Sequence, residues 1–285
     1  MKSFNYISVV TLNQALEALQ QEKENACLVA GATNVLPFIR YKKINNKTLI
    51  NIRNLKELRY IQETDEKIFI GSLTTITDLE KSDILKKYAP ALVDAARNFA
   101  DPTTRNSATI GGNIANASPA ADTAPPLLAL DAVVVSVSKS GERKIPIDEF
   151  FTGVNMTALK PEEMIKEIEI PKNPANSHSH FIKLGLRNAM AISIVSAAAV
   201  LEIESGKIKK VRIALGSVAP TPVRGRTVEK LLMGQDFSDK VIEKASSRIH
   251  EDISPISDIR ASREYRQTVA SVVVKRALQK IGGIY

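Results

Sequence analysis

The sequence predicts a protein of mixed helix and strand, α/β or α+β, built in two parts, and three observations carry that prediction. Short apolar runs alternate with amphipathic or capped segments as far as about residue 170, the pattern of strands interspersed with helices. Residues 171–179 hold two prolines, two asparagines and two serines and read as a linker. Beyond it, residues 181–186, 193–204 and 211–218 are long strand-like runs, and only helical segments follow.

The elements follow in order. Thr11-Leu12-Asn13-Gln14 has capping-box spacing, with apolar Ala15, Leu16 and Leu19 behind it, so residues 11–22 read as a helix. Residues 27–30 form a short strand, Gly31-Ala32-Thr33-Asn34 turn the chain, and residues 35–41 look helical with Pro37 in the first turn. A strand running through a glycine turn into a helix can present N–H groups to a phosphate; on these residues alone a plain βα connection is the commoner case. Residues 48–51 and 68–71 are strands, and residues 55–60 are a turn or short helix. Thr77-Asp78-Leu79-Glu80 opens a helix, and residues 89–99 form another, ended by Asp101-Pro102. A helix over 124–130 and a strand over 133–138 come next, with a turn at 139–141. Residues 164–170 mix apolar and charged side chains as an edge or half-exposed strand would. In the second part, a turn at Ser205-Gly206 makes an antiparallel meander, and helices are expected over 228–233, 238–250 and 262–281.

Between the helix at 89–99 and that at 124–130 lies Thr109-Ile110-Gly111-Gly112-Asn113-Ile114-Ala115-Asn116-Ala117-Ser118-Pro119-Ala120-Ala121-Asp122. Gly111 and Gly112 can take φ > 0 and admit a close backbone approach. Asn113, Asn116 and Ser118 are small donors and acceptors, and Asp122 suits hydroxyl donors. The stretch fits a wrapping for a ligand rich in phosphates and hydroxyls, with N–H groups aimed at the phosphates; it also fits a glycine-rich turn between strands.

Composition narrows the function. The chain has 285 residues, 44% hydrophobic and 25% charged, as ordinary globular proteins do. No apolar run approaches the roughly 20 residues that span a bilayer. The single cysteine, Cys27, excludes an internal disulfide framework and any cysteine-held iron–sulfur or zinc site within the chain, and suits a reducing cytoplasm. A net charge of +8 raises nucleic acid as a partner, but the basic residues are scattered pairs (Lys42-Lys43, Lys86-Lys87, Lys209-Lys210), and with no Trp and 5% aromatics the chain is poor at base stacking. An acidic partner subunit or an anionic ligand fits better. GxGxxG and GxxxxGK[ST] are both absent. His178 and His180 fall in the linker without a third ligand nearby, Glu162-Glu163 follows Pro161 as a charged turn, and no nucleophile set is visible. So few acid–base candidates point to chemistry borrowed from a cofactor.

Leu28-Val29-Ala30-Gly31-Ala32-Thr33-Asn34, together with residues 108–122, resembles the FAD-binding subunit of the molybdenum hydroxylases, the family of xanthine dehydrogenases, aldehyde oxidoreductases and aerobic carbon monoxide dehydrogenases. The resemblance covers nearly the whole chain. It takes in Phe150-Phe151-Thr152-Gly153, Lys160-Pro161-Glu162-Glu163-Met164-Ile165, Lys183, Arg187 and Ala191-Ile192-Ser193. Ala219-Pro220-Thr221-Pro222-Val223-Arg224 and Arg260-Ala261-Ser262-Arg263-Glu264-Tyr265-Arg266 are most similar to bacterial xanthine dehydrogenase flavin subunits.

The resemblance implies a vanillyl-alcohol-oxidase (PCMH)-type FAD domain over residues 1–172, made of two α/β subdomains (about 1–55 and 56–172). A C-terminal domain over 180–285 would be a three-stranded antiparallel sheet on a helical bundle. It implies that Val29, Ala30, Gly31, Ala32, Thr33, Asn34 and Val35, with Thr109, Ile110, Gly111, Gly112 and Asn113, hold the FAD diphosphate through backbone N–H groups and short side chains. Phe99 and Ile165 would pack on the cofactor, Asp122 would accept from one of its hydroxyls, Lys183 would lie near the flavin end, and Ile192 near the isoalloxazine ring.

In this family's pattern the chain would pass electrons from [2Fe–2S] clusters on one partner, fed by a molybdopterin-binding large subunit, through FAD to NAD⁺ or another acceptor. Xanthine or another purine leads as substrate, with nicotinate, aldehyde or carbon monoxide as alternatives, in a heterotrimer or a dimer of heterotrimers. No nucleic acid, membrane or metal site is implied for this chain. One cysteine argues against the benzoyl-CoA-reductase-like branch, whose flavin subunit carries a further cluster. A flavin-free scaffold subunit and a stand-alone flavin oxidase are the competing readings. The family usually has Ala-Gly-Gly-Thr-Asp in the first loop, where this chain has Ala32 and Asn34; a right-handed or extended backbone would tolerate Ala32, and Asn34 keeps an acceptor. Pro102-Thr103-Thr104 replaces the usual Pro-Gln-Ile or Pro-Gln-Val.

Overall fold

A computed structural model describes residues 4–41, 44, 47–174, 176–281 and 283; Lys42-Lys43 and Ala175 of the expected linker lie outside them. Strands β1 (Asn5–Ser8), β2 (Ala26–Val29) and β3 (Thr48–Asn51) form a parallel sheet in the order β1-β3-β2. The helix Leu12–Glu22 covers it, burying Ala15, Leu16, Ala18 and Leu19 in the same apolar cluster as Ile50. Thr11 caps the helix by accepting from the Gln14 N–H, while the Gln14 carboxamide accepts from the Val10 N–H, one residue earlier than a capping box places it.

The second sheet is antiparallel, with strands β4 (Ile61–Glu63), β5 (Lys67–Gly71), β6 (Val133–Ser138), β7 (Gly141–Pro146) and β10 (Met164–Pro171) in the order β4-β5-β10-β6-β7. A small hairpin, β8 (Phe151–Gly153) and β9 (Met156–Thr157), lies before β10. The edge position expected for residues 164–170 is therefore corrected: β10 is the central strand. Its charges survive there because each has a partner. Glu169 is buried between Lys67 and Lys144, and Glu167 accepts from the Tyr60 hydroxyl. Helices Pro90–Arg97, Ile110–Ala115 and Ala124–Ala129 share a core with Ile68, Ile70, Val134, Ile168 and Ile170.

The third sheet is β11 (Ser177–Gly185), β12 (Ser193–Glu204), β13 (Lys207–Gly216) and β14 (Val223–Arg224), antiparallel throughout. The expected three strands gain a fourth, two residues long. Ala198 and Val200 of β12 join the core of the second sheet, while Ala197, Ala199 and Leu201 face helices Arg226–Leu232, Asp239–Ser246 and Arg263–Ile281. Burial on both faces explains why β12 reads as an unbroken apolar run. His178 and His180 lie on β11, not in a loop, and His180 Nδ1 sits 2.6 Å from Asp94 Oδ2 on the helix Pro90–Arg97. No helix among the described residues is long and apolar enough to cross a membrane.

Candidate functional site

The first glycine loop leaves β2 after Val29 and enters the helix Val35–Arg40. Gly31 is there because nothing larger fits: a Cβ on it would stand 1.8 Å from the Ser107 carbonyl oxygen and 3.1 Å from the Ala108 nitrogen. The two glycine-bearing stretches thus touch backbone to backbone, since Ser107 and Ala108 lead directly into Thr109. Ala32 has φ 59°. That corrects the expectation of a right-handed or extended backbone: the methyl sits in the left-handed region, which favours glycine. Asn34 follows in the right-handed region. Thr33, between them, has no positive φ, and a left-handed residue in such a turn can curl successive N–H groups toward one concavity. Among the described residues, the N–H groups of Gly31, Ala32, Thr33 and Asn34 donate to no acceptor.

The second stretch differs from its sequence reading. Thr109 is the N-cap of a short helix, Ile110–Ala115, and neither Gly111 nor Gly112 has positive φ. Gly111 is needed for closeness, since a Cβ there would meet Ser72 at 2.7 Å. Four of the five N–H groups expected to reach a diphosphate are engaged within the chain: Ile110 donates to Thr74 O, Gly111 to Ser72 O, Gly112 to the Thr109 hydroxyl and Asn113 to Thr109 O, while that of Thr109 donates to no described residue. What this stretch leaves for a ligand is the Thr109 N–H and side chains, chiefly the Asn113 amide NH₂, which gives no hydrogen bond to a described residue.

Asp122 and Lys183 meet across the two parts of the chain, Lys183 Nζ 2.7 Å from Asp122 Oδ2, with side chains only 7% and 8% exposed for Lys and Asp. Lys183 also donates to Asn98 O at 3.1 Å. Burial pushes the Asp122 carboxyl up to about 6, against the lowering charge and hydrogen bond of Lys183. Asp122 Oδ1 is buried with no hydrogen-bond partner among the described residues. A buried acceptor without a donor costs free energy, and a ligand hydroxyl would relieve it.

The remaining expected residues are more dispersed. Phe99 is half-buried against the core of the second sheet, and Ile165, on β10, is buried within it. Val29 ends β2 and Val35 opens the helix Val35–Arg40. Ile192 is 53% exposed, beyond a loop in which Arg187 donates to Met190 O. Sequence reasoning missed Thr123, whose hydroxyl lies 2.6 Å from Asn113 Oδ1, and the Ser72 and Thr74 carbonyls. For Thr123 there was a signal, two prolines just after it.

A dinucleotide with a diphosphate and several hydroxyls asks for unpaired N–H donors without clashing side chains, and for buried acceptors. Gly31 through Asn34 offer the first, the Asn113 amide adds a further donor, and Asp122 Oδ1 offers the second. The residues present fit FAD.

The comparisons with known proteins agree. Residues 2–173 match the model of the FAD binding domain in molybdopterin dehydrogenase, and residues 180–281 match that of the CO dehydrogenase flavoprotein C-terminal domain. The chain is similar to the xanthine dehydrogenase FAD-binding subunit of Escherichia coli O157:H7, at 35% identity over 98% of this chain and 97% of the relative. It is similar to the glyceraldehyde dehydrogenase medium chain of Sulfolobus acidocaldarius, at 30% identity over 98% of both. Its structure resembles a chain of carbon monoxide dehydrogenase from Hydrogenophaga pseudoflava lacking the Mo-pyranopterin moiety, with a TM-score of 0.95, 32% identity, and coverage of 99% of this chain and 98% of that one.

Proposed function

The chain belongs to the FAD-binding medium subunits of the molybdenum hydroxylases, and we propose on that premise that it is the electron-passing flavin subunit of such a complex. Bound FAD supplies the chemistry that joins electrons arriving from iron–sulfur centres to a final acceptor. This chain's residues bind and orient it. The N–H groups of Gly31, Ala32, Thr33 and Asn34 take the diphosphate, the Asn113 amide adds a further donor, and Asp122 Oδ1 accepts from a cofactor hydroxyl while Lys183 balances its charge. Phe99 and Ile165 are assigned to packing on the cofactor, and Ile192 to the isoalloxazine ring. The division of labour runs along the chain: residues 1–172 hold the cofactor, and residues 180–285 close over it through β11.

With one cysteine, this chain draws on partners: a [2Fe–2S] subunit and a large molybdopterin-binding subunit, with NAD⁺ as acceptor and a purine such as xanthine as the substrate of the complex. The relatives' names support the class more than the substrate, since they include xanthine, glyceraldehyde, carbon monoxide and nicotinate dehydrogenases. A reducing cytoplasm suits the free Cys27.

The observation that carries the reading is the close approach of Gly31 to the backbone of Ser107 and Ala108, which brings a loop whose four N–H groups donate to no described residue against the segment leading into Thr109. The left-handed Ala32 favours one of the competing readings, a flavin-free scaffold. A single experiment separates them: purify the chain with its neighbouring subunits, record the visible spectrum, and titrate FAD into any flavin-free fraction. Stoichiometric flavin absorbance is expected. A folded complex that neither carries nor takes up FAD would establish the scaffold.

A further inference from the structure

We propose that Thr123 is a positioning residue for flavin nucleotide binding, fixing the Asn113 side-chain amide so that its NH₂ faces an acceptor oxygen of the cofactor. This rests on the FAD reading above. Thr123 is 0% exposed, and its Oγ1 lies 2.6 Å from Asn113 Oδ1. Two oxygens at that distance share a hydrogen, an amide carbonyl has none to give, and so the hydroxyl donates.

A second observation shows why this hydroxyl is available. Thr123 is the N-cap of the helix Ala124–Ala129 and makes no side-chain cap bond. An N-cap threonine ordinarily accepts from the N–H of the second or third helical residue. Here those residues are Pro125 and Pro126, which have no N–H. The sequence Thr123-Ala124-Pro125-Pro126 thus places a capping residue where there is nothing to cap, and its hydroxyl turns to Asn113.

The consequence is electrostatic. With Oδ1 held by Thr123, the Asn113 amide presents two N–H donors outward. Flipped, it would present a carbonyl dipole to an anionic ligand and lose the interaction. Consecutive residues thereby set opposite polarities: Asp122 leaves an unpartnered acceptor in Oδ1, and Thr123 sets a donor in Asn113.

The test is a double-mutant cycle in the full-length chain, purified with its partner subunits, with FAD as the probe and the dissociation constant read from flavin fluorescence. Thr123→Val is expected to weaken FAD binding roughly tenfold, Thr123→Ser to restore it, and Thr123→Val to add nothing in an Asn113→Ala background. Thermal melts without FAD report folding, and Thr123→Ala serves if the valine variant does not fold. Equal losses from Thr123→Val in both backgrounds, or failure of serine to restore affinity, would overturn the proposal and leave Thr123 a core residue. If Asn113→Ala alone leaves FAD affinity unchanged, the assignment of Asn113 to the cofactor fails instead.

Discussion

Ala32 gives the sharpest test of the first loop. At φ 59° its Cβ crowds the backbone, which costs a non-glycine residue about 1 kcal/mol or somewhat more. Ala32→Gly removes that cost but gives the unfolded chain extra freedom worth roughly 0.4–1 kcal/mol. The net expectation is a gain of about 0–1 kcal/mol, a rise in Tm of up to roughly 3 °C for a protein of this size. Ala32→Val puts a stiff β-branched side chain in the same region, and the glycine and valine variants should differ by about 2 kcal/mol or more. The assay is paired thermal and urea melts of both variants without FAD, followed by FAD titration. Glycine should bind FAD at least as tightly as the parent, and valine roughly tenfold more weakly, the equivalent of about 1.4 kcal/mol. A valine variant as stable as the glycine variant would refute the left-handed assignment, and with it the curled donor loop.

Other consequences are as specific. Gly31→Ala should force the two glycine stretches apart, since the added carbon meets the Ser107 backbone rather than a side-chain end; a loss of about 3 kcal/mol and of bound flavin is expected in melts and spectra. Asp122 sets a pH dependence. Its folded value of about 6 lies above the ordinary 3.8, so between about pH 4 and 6 the folded chain keeps a proton that the unfolded chain releases. Flavin-free stability should therefore fall by about 3 kcal/mol as pH rises through that window, and Asp122→Asn should remove the slope in urea midpoints. FAD affinity should rise from pH 5 to 7, because a cofactor hydroxyl donates to the ionised carboxylate. Asp131→Ala should cost about 2–3 kcal/mol, since it strips a carboxylate from Arg224 and from Arg212, whose side chain is only 7% exposed; differential scanning calorimetry reads the loss.

Much of this was legible in the residues. Thr11 announces its helix through the spacing to Gln14, and residues 48–51 and 133–138 are strands because β-branched runs pack well on a pleated surface. The closeness of the two glycine stretches was legible only through the family resemblance, because no local rule joins Gly31 to Ser107. The central place of β10 was hidden because its charges looked solvated, whereas Glu169 is satisfied by Lys67 from the adjacent strand β5 and by Lys144 from β7, one strand beyond β6. Two glycines disguised the helix Ile110–Ala115, since glycine is a poor helix former, yet Thr109 caps it. The helix Pro102–Ser107 was missed although Asp101 and Pro102 spell an N-cap and a first-turn proline; its Thr-Thr-Arg-Asn-Ser sequence offers no apolar stripe. Which N–H groups remain free was beyond sequence altogether, since it depends on the Ser72 and Thr74 carbonyls arriving from the turn after β5.

The central claim is that the free N–H groups of the first glycine loop hold the diphosphate. Hydrogen–deuterium exchange of the purified complex, with and without saturating FAD, measures those amides directly. The amides of Gly31, Ala32, Thr33 and Asn34 should become strongly protected when FAD is added, while those of Gly111 and Asn113, already bonded, change little. Tight FAD binding with the first loop still exchanging freely would contradict the account.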